Sequence, residues 1–68
     1  MKPMDAKQVE ALLKKNGFRL VSRRGSHFKW ANSMTGRTAI VPHHGSRIIH
    51  QGTLISIFKQ AGFLPPQT

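Results

Sequence analysis

Phe18-Arg19-Leu20-Val21-Ser22-Arg23-Arg24-Gly25-Ser26-His27-Phe28-Lys29-Trp30 is the stretch whose reading decides the fold. Phe18 and Leu20 alternate with Arg19 and Val21, and beyond Gly25 the aromatic Phe28 and Trp30 alternate with His27 and Lys29. Alternation of this kind belongs to strands with one covered face, and two such runs joined at a glycine predict a β-hairpin. Parity then separates the side chains. Phe28 and Trp30 face the core, whereas His27 and Lys29 fall on the open side of the sheet among cationic neighbours.

On the N-terminal side of the hairpin the apolar period lengthens to that of a helix. Ala6, Val9, Leu12 and Leu13 recur at helical spacing, with Lys7, Glu10, Lys14 and Lys15 directed elsewhere. Asp5 is a good N-cap and Gln8 completes a capping-box pattern. Lys14 and Lys15 suit the negative end of the helix dipole, and Asn16-Gly17 supplies a left-handed stop, so the helix is expected over 6–15.

On the C-terminal side, Asn32-Ser33-Met34-Thr35-Gly36 reads as a turn and Arg37 to Val41 as a third strand, rich in β-branched residues and closed by Pro42. Thr38/Ile40 and Ala39/Val41 serve equally well as its buried face. His43 to Gln51 reads as an irregular connection in which Ile48-Ile49 needs cover. A second helix is expected after Gly52, capped by Thr53 or a neighbour, with Leu54, Ile57, Phe58 and Ala61 as its stripe. Gly62 stops it and Pro65-Pro66 forbids continuation. The fold class is α+β, in the order α-β-β-β-α: a three-stranded antiparallel sheet with two helices on one face.

Composition narrows the function. The 68 residues form one domain, 1–68, with a modest core, and the absence of cysteine excludes disulfides and thiolate zinc sites. No apolar run approaches the roughly 20 residues of a membrane span, and Met1-Lys2-Pro3-Met4-Asp5 lacks the apolar region of a signal peptide. A cytoplasmic location is expected, with no role at a membrane. Eleven Lys and Arg stand against two acids, Asp5 and Glu10, for a formal charge of +9. So one-sided a field repels itself within the fold and points to a polyanionic partner. The basic residues spread over helices, strands and loops rather than one amphipathic helix face, which favours nucleic acid over a lipid surface.

The same inventory excludes most catalytic schemes. Asp5 and Glu10 share one helix, so neither a paired-carboxylate site nor a carboxylate cage for metal ions can be built, and the glycine spacing matches no phosphate loop. His43, His44 and His50 lack an i, i+4 helical pair and a carboxylate to orient them, so no metal and no cofactor is expected. His27 is the candidate with a chemical setting. Arg23-Arg24-Gly25-Ser26-His27 brings two guanidinium groups, a turn and an imidazole together. RNA carries its own nucleophile, the 2′-hydroxyl, so a base, an acid and surrounding cations are enough to cleave it. On residue logic alone, His27 also fits a plain contact residue.

Gly25-Ser26-His27 opening a second strand, Val41-Pro42-His43, and Gly52-Thr53-Leu54 leading to Ile57 and Lys59-Gln60-Ala61-Gly62 resemble, in this order, the HicA family of toxins. Leu12-Leu13-Lys14-Lys15-Asn16-Gly17-Phe18 fits the same family's first helix and its exit. The resemblance covers nearly the whole chain. It implies a double-stranded-RNA-binding-domain-like fold and an mRNA interferase: an endoribonuclease that cuts transcripts without the ribosome. It also implies that His27 is the catalytic residue. A co-expressed HicB-type antitoxin would cover that histidine, and DNA would be met only indirectly, through the antitoxin's operator.

RNA contacts are expected from Arg23, Arg24, Ser26, Lys29, His43, Lys14 and Lys15, with Lys29, His43 or a water as the general acid. The alternative is a non-catalytic RNA-binding module of the same fold, reading duplex shape through its first helix, hairpin loop and second helix start.

Overall fold

A computed structural model describes residues 2–64 of the chain. Pro65-Pro66 lies outside the described residues. The first helix, α1, spans Ala6–Lys15, and its start is closed by the expected reciprocal pair: Gln8 N–H donates to the Asp5 carboxylate and Asp5 N–H to the Gln8 side-chain carbonyl, both at 2.9 Å. Gly17, at φ +90°, turns the chain out of α1.

Three strands follow, β1 (Arg19–Arg24), β2 (His27–Ala31) and β3 (Thr38–Pro42), in an antiparallel sheet of order β1-β2-β3. β2 and β3 pair without irregularity: Phe28 lies opposite Val41 and Trp30 opposite Ala39. This register settles which residues of the third strand are covered. Ala39 and Val41 are fully buried and Thr38 and Ile40 exposed, because small side chains fill the space left beside the two aromatic rings. The turn between β2 and β3 is organised by Asn32. Its side-chain carbonyl oxygen accepts from the Met34 and Thr35 N–H groups, and its side-chain amide donates to the Asn16 carbonyl, tying the turn to the exit of α1.

The second helix, α2, covers Gln51–Ala61 and so already includes Gly52, the glycine after which it was expected to start. Its N-cap is His50 rather than Thr53: the His50 Nδ1 accepts from the Gly52 N–H at 3.2 Å, and Thr53 lies within the first turn. Leu54, Ile57, Phe58 and Ala61 are buried as the stripe predicted, and Gly62 ends the helix at φ +83°. In the preceding connection only Ile49 is covered. Its N–H donates to the Met4 carbonyl, whereas Ile48 stays exposed beside its bridge to Asp5. Both helices lie on the Trp30 face and their stripes close one core with Val9, Leu13 and Phe18. Leu12 and Phe28 pack at its margin, partly exposed. The opposite face of the sheet is bare.

Candidate active site

His27 stands at the hairpin end of this bare face. The turn that delivers it is two residues long, Gly25-Ser26, with Gly25 at φ +59° and Ser26 at negative φ. Positive φ at the first central position alone defines a type II′ turn, whose twist matches that of the flanking strands. The Ser26 carbonyl accepts from the His43 N–H at 2.7 Å, which pins the turn to the residue following β3. His27 therefore sits at a braced end of the sheet, and its side chain is exposed.

Its neighbours are set by an irregularity in β1. The β1–β2 register runs Leu20 opposite Trp30, then Ser22 opposite Lys29, Arg23 opposite Phe28 and Arg24 opposite His27, so Val21 is an extra residue, a β-bulge. Strict alternation from Leu20 would have put Arg24 on the covered side and Arg23 beside His27. The bulge reverses this. Arg24 flanks His27 on one side and Pro42 on the other, and Ser22, Lys29 and Ile40 form the adjacent row. His27, Arg24, Ser22, Lys29 and Ile40 line a depression of about 410 Å³, which Arg23 also borders. An imidazole, a guanidinium and an ammonium converge there on one open surface, as a phosphodiester would require.

The other expected contacts are distributed differently. The Arg23 guanidinium lies 5.3 Å from the Phe28 ring centroid, on the helix-bearing side. His43 is on that side too: its ring stacks on Phe28 at 4.5 Å and 12°, and its Nδ1 is 3.1 Å from a Glu10 oxygen. Glu10 accepts from the Trp30 indole N–H through its second oxygen, also at 3.1 Å. Lys14 and Lys15 are exposed in the last turn of α1. Arg24 and Lys29 thus line the depression with His27, and Ser26 precedes it in the turn; Arg23 borders the depression from the edge strand while its guanidinium lies over Phe28, and His43, Lys14 and Lys15 belong to the helix-bearing side.

Two features escaped the sequence reading. Glu10 lies four residues after Ala6 and three before Leu13, both fully buried, so its helical position already put it on the covered face. The bulge is signalled only by the failure of alternation across Val21-Ser22-Arg23-Arg24. Both carboxylates are engaged away from His27, Asp5 in its capping box and Glu10 between Trp30 and His43. Among the described residues, no three His, Cys, Asp or Glu side chains come together as a set able to hold a metal ion.

Order of elements, sheet topology and the strongly basic surface define a small double-stranded-RNA-binding-domain-like module with a histidine at the mouth of its hairpin. Residues 6–63 match the family model described as the HicA toxin of bacterial toxin–antitoxin systems. The chain is also 38% identical over 50 residues to a probable mRNA interferase HicA of Pseudomonas fluorescens (strain Pf0-1), an alignment covering 74% of this chain and 80% of that relative. The chain belongs to the HicA toxin family.

Proposed function

We propose that this HicA toxin is an mRNA interferase, an endoribonuclease that cleaves mRNA without a metal ion through His27, and that a HicB-type antitoxin silences it by covering that histidine. The observation carrying the proposal is the exposed His27 imidazole on a bare sheet face, with Arg24 across one strand boundary and Lys29 in the next row. The curated relative named as a probable mRNA interferase supports the same reading.

In the reaction proposed, His27 takes the proton of a ribose 2′-hydroxyl. The 2′-oxygen attacks the adjacent phosphorus, the bond from phosphorus to the 5′-oxygen breaks, and the departing oxygen takes up a proton from an acid at the depression. Arg24 and Lys29 offset the charge that builds on the phosphate oxygens. Lys29 or a water is the acid on the His27 side of the sheet; His43, held to Glu10 across the sheet, is ranked behind them. With one carboxylate capping a helix and the other held by Trp30 and His43, the chain's own residues favour acid–base chemistry over a carboxylate-bound metal.

The test is cleavage of a defined mRNA in EDTA by the wild type and by His27→Ala. Wild-type products should carry 2′,3′-cyclic phosphate ends, all-deoxy substrates should survive, and the variant should lose about 10²-fold or more in rate. Equal cleavage by the variant overturns the role of His27, and loss of wild-type activity in EDTA overturns the metal-free route. Tight binding with no cleavage by the wild type would leave a passive RNA-binding module.

A further inference from the structure

On the helix-bearing side of the sheet, α1 leans on β3 and leaves a groove of about 400 Å³ between itself and β1. Leu20, Phe28 and Trp30 form its floor, and Lys7, Ala11 and Lys14 of α1 form its wall. Leu20 and Phe28 remain partly exposed there, so apolar surface faces water inside a basic rim. Glu10 also lines the groove, its side chain 13% exposed. Each Glu10 oxygen has one partner, the Trp30 indole N–H and the His43 Nδ1, both at 3.1 Å. A carboxylate offers about four lone-pair positions, so each oxygen retains capacity for another donor.

We propose that this groove receives one unpaired nucleobase of the RNA strand, guanine before the others, with its N–H edge on Glu10 and the flanking phosphates on Lys7, Lys14 and Arg23. The proposal rests on RNA being the ligand of this toxin and adds where the strand is read. Three observations carry it. An apolar floor ending in a hydrogen-bonding group is what a splayed-out base requires, and single-stranded RNA is read in this way. The rim is cationic in a chain of net charge +9, complementary to phosphates. The acceptor is a carboxylate, which matches a base edge with adjacent N–H donors; guanine presents two, and uracil only one.

The geometry also connects the groove to His27. β1 is an edge strand, and its consecutive residues Arg23 and Arg24 face opposite sides of it, the first over Phe28 and the second beside His27. An RNA strand crossing this edge keeps a cation on each side, so the base held in the groove and the bond exposed to His27 belong to one strand. Glu10 would thereby choose which phosphodiester reaches His27.

Trp30 is the chain's single tryptophan and lies in the floor, so its fluorescence reports occupancy. The experiment titrates the wild type with all-deoxy hexanucleotides, which lack the nucleophile and stay intact, comparing an all-uracil strand with one carrying a single guanine. The guanine strand is expected to quench Trp30 saturably and to bind at least about tenfold more tightly. Glu10→Gln, which keeps a partner for the indole, should erase the preference without abolishing binding. Ala11→Phe, at an exposed position of the wall, should fill the groove and suppress the quenching. Equal affinity for both strands, or quenching unchanged in Ala11→Phe, overturns the proposal. If the wild type cleaves RNA but shows no guanine preference, the groove alone falls; if the preference is present and no RNA is cleaved, the nuclease reading falls and the groove stands.

Discussion

Arg23 and Arg24 are consecutive in sequence and lie on opposite faces of the sheet, Arg23 with its guanidinium 5.3 Å from the Phe28 ring centroid and Arg24 directly across from His27. The pleat of the strand makes the division, and the Val21 bulge reconciles it with Leu20, which stays on the covered face opposite Trp30. Two like residues thereby acquire different tasks.

Removing each arginine in turn should separate those tasks. Arg24→Ala is expected to lower cleavage at saturating RNA by roughly 10- to 100-fold, since it withdraws a cation from the reacting phosphate. Arg23→Ala should act mainly on affinity, with turnover nearly intact. Rates measured at saturating and at limiting RNA distinguish the two outcomes, and equal losses of turnover would contradict the division.

Deleting Val21 provides a sharper check on parity. With that residue gone, Ser22 follows Leu20 directly and the hairpin becomes regular, while Arg24 still faces His27 across the ladder. Cleavage should survive the deletion. Its loss would mean that the extra twist of the bulge, rather than the choice of face, aligns Arg24.

Glu10 should matter for stability as well as for the groove. Glu10→Ala strands the buried indole N–H of Trp30 and is expected to cost about 1–3 kcal/mol, whereas Glu10→Gln should cost clearly less. Urea unfolding followed by Trp30 fluorescence measures both.

The cap of α2 gives an independent stability test. His50→Ala removes the acceptor for the Gly52 N–H and should cost about 1 kcal/mol, and His50→Asn should restore most of it. For a domain of this length, 1 kcal/mol corresponds to about 4–8 °C in Tm, readable by circular dichroism. Thr53→Ala, inside the helix, should change little.

The two helices, the hairpin and the covered position of Trp30 were legible because each is announced locally. Asp5 with Gln8 marks a helix start, and Gly25 marks the chain reversal before alternation resumes. The exposure of His27 followed from the same parity. Legibility ended where a choice depended on partners distant in the chain. The third strand offered two equivalent faces until Trp30 and Phe28 were placed opposite Ala39 and Val41. His50 carries no cap signal in sequence, because serine, threonine, asparagine and aspartate are the usual caps, yet its imidazole nitrogen accepts from the Gly52 N–H. His43 reads as a strand-end contact in sequence; its place on the far side of the sheet depends on Phe28 and Glu10, 15 and 33 residues away.

The engagement of both acids has a consequence for how the molecule meets copies of itself. Asp5 closes the start of α1 and Glu10 turns inward to an indole and an imidazole, so neither is offered as a counter-ion to a neighbour. Two such molecules approaching each other bring mostly like charge to the contact, and their repulsion keeps them dispersed at low ionic strength. A binding protein that brings its own acidic groups relieves that repulsion, and it gains in encounter rate what a second copy of the toxin loses.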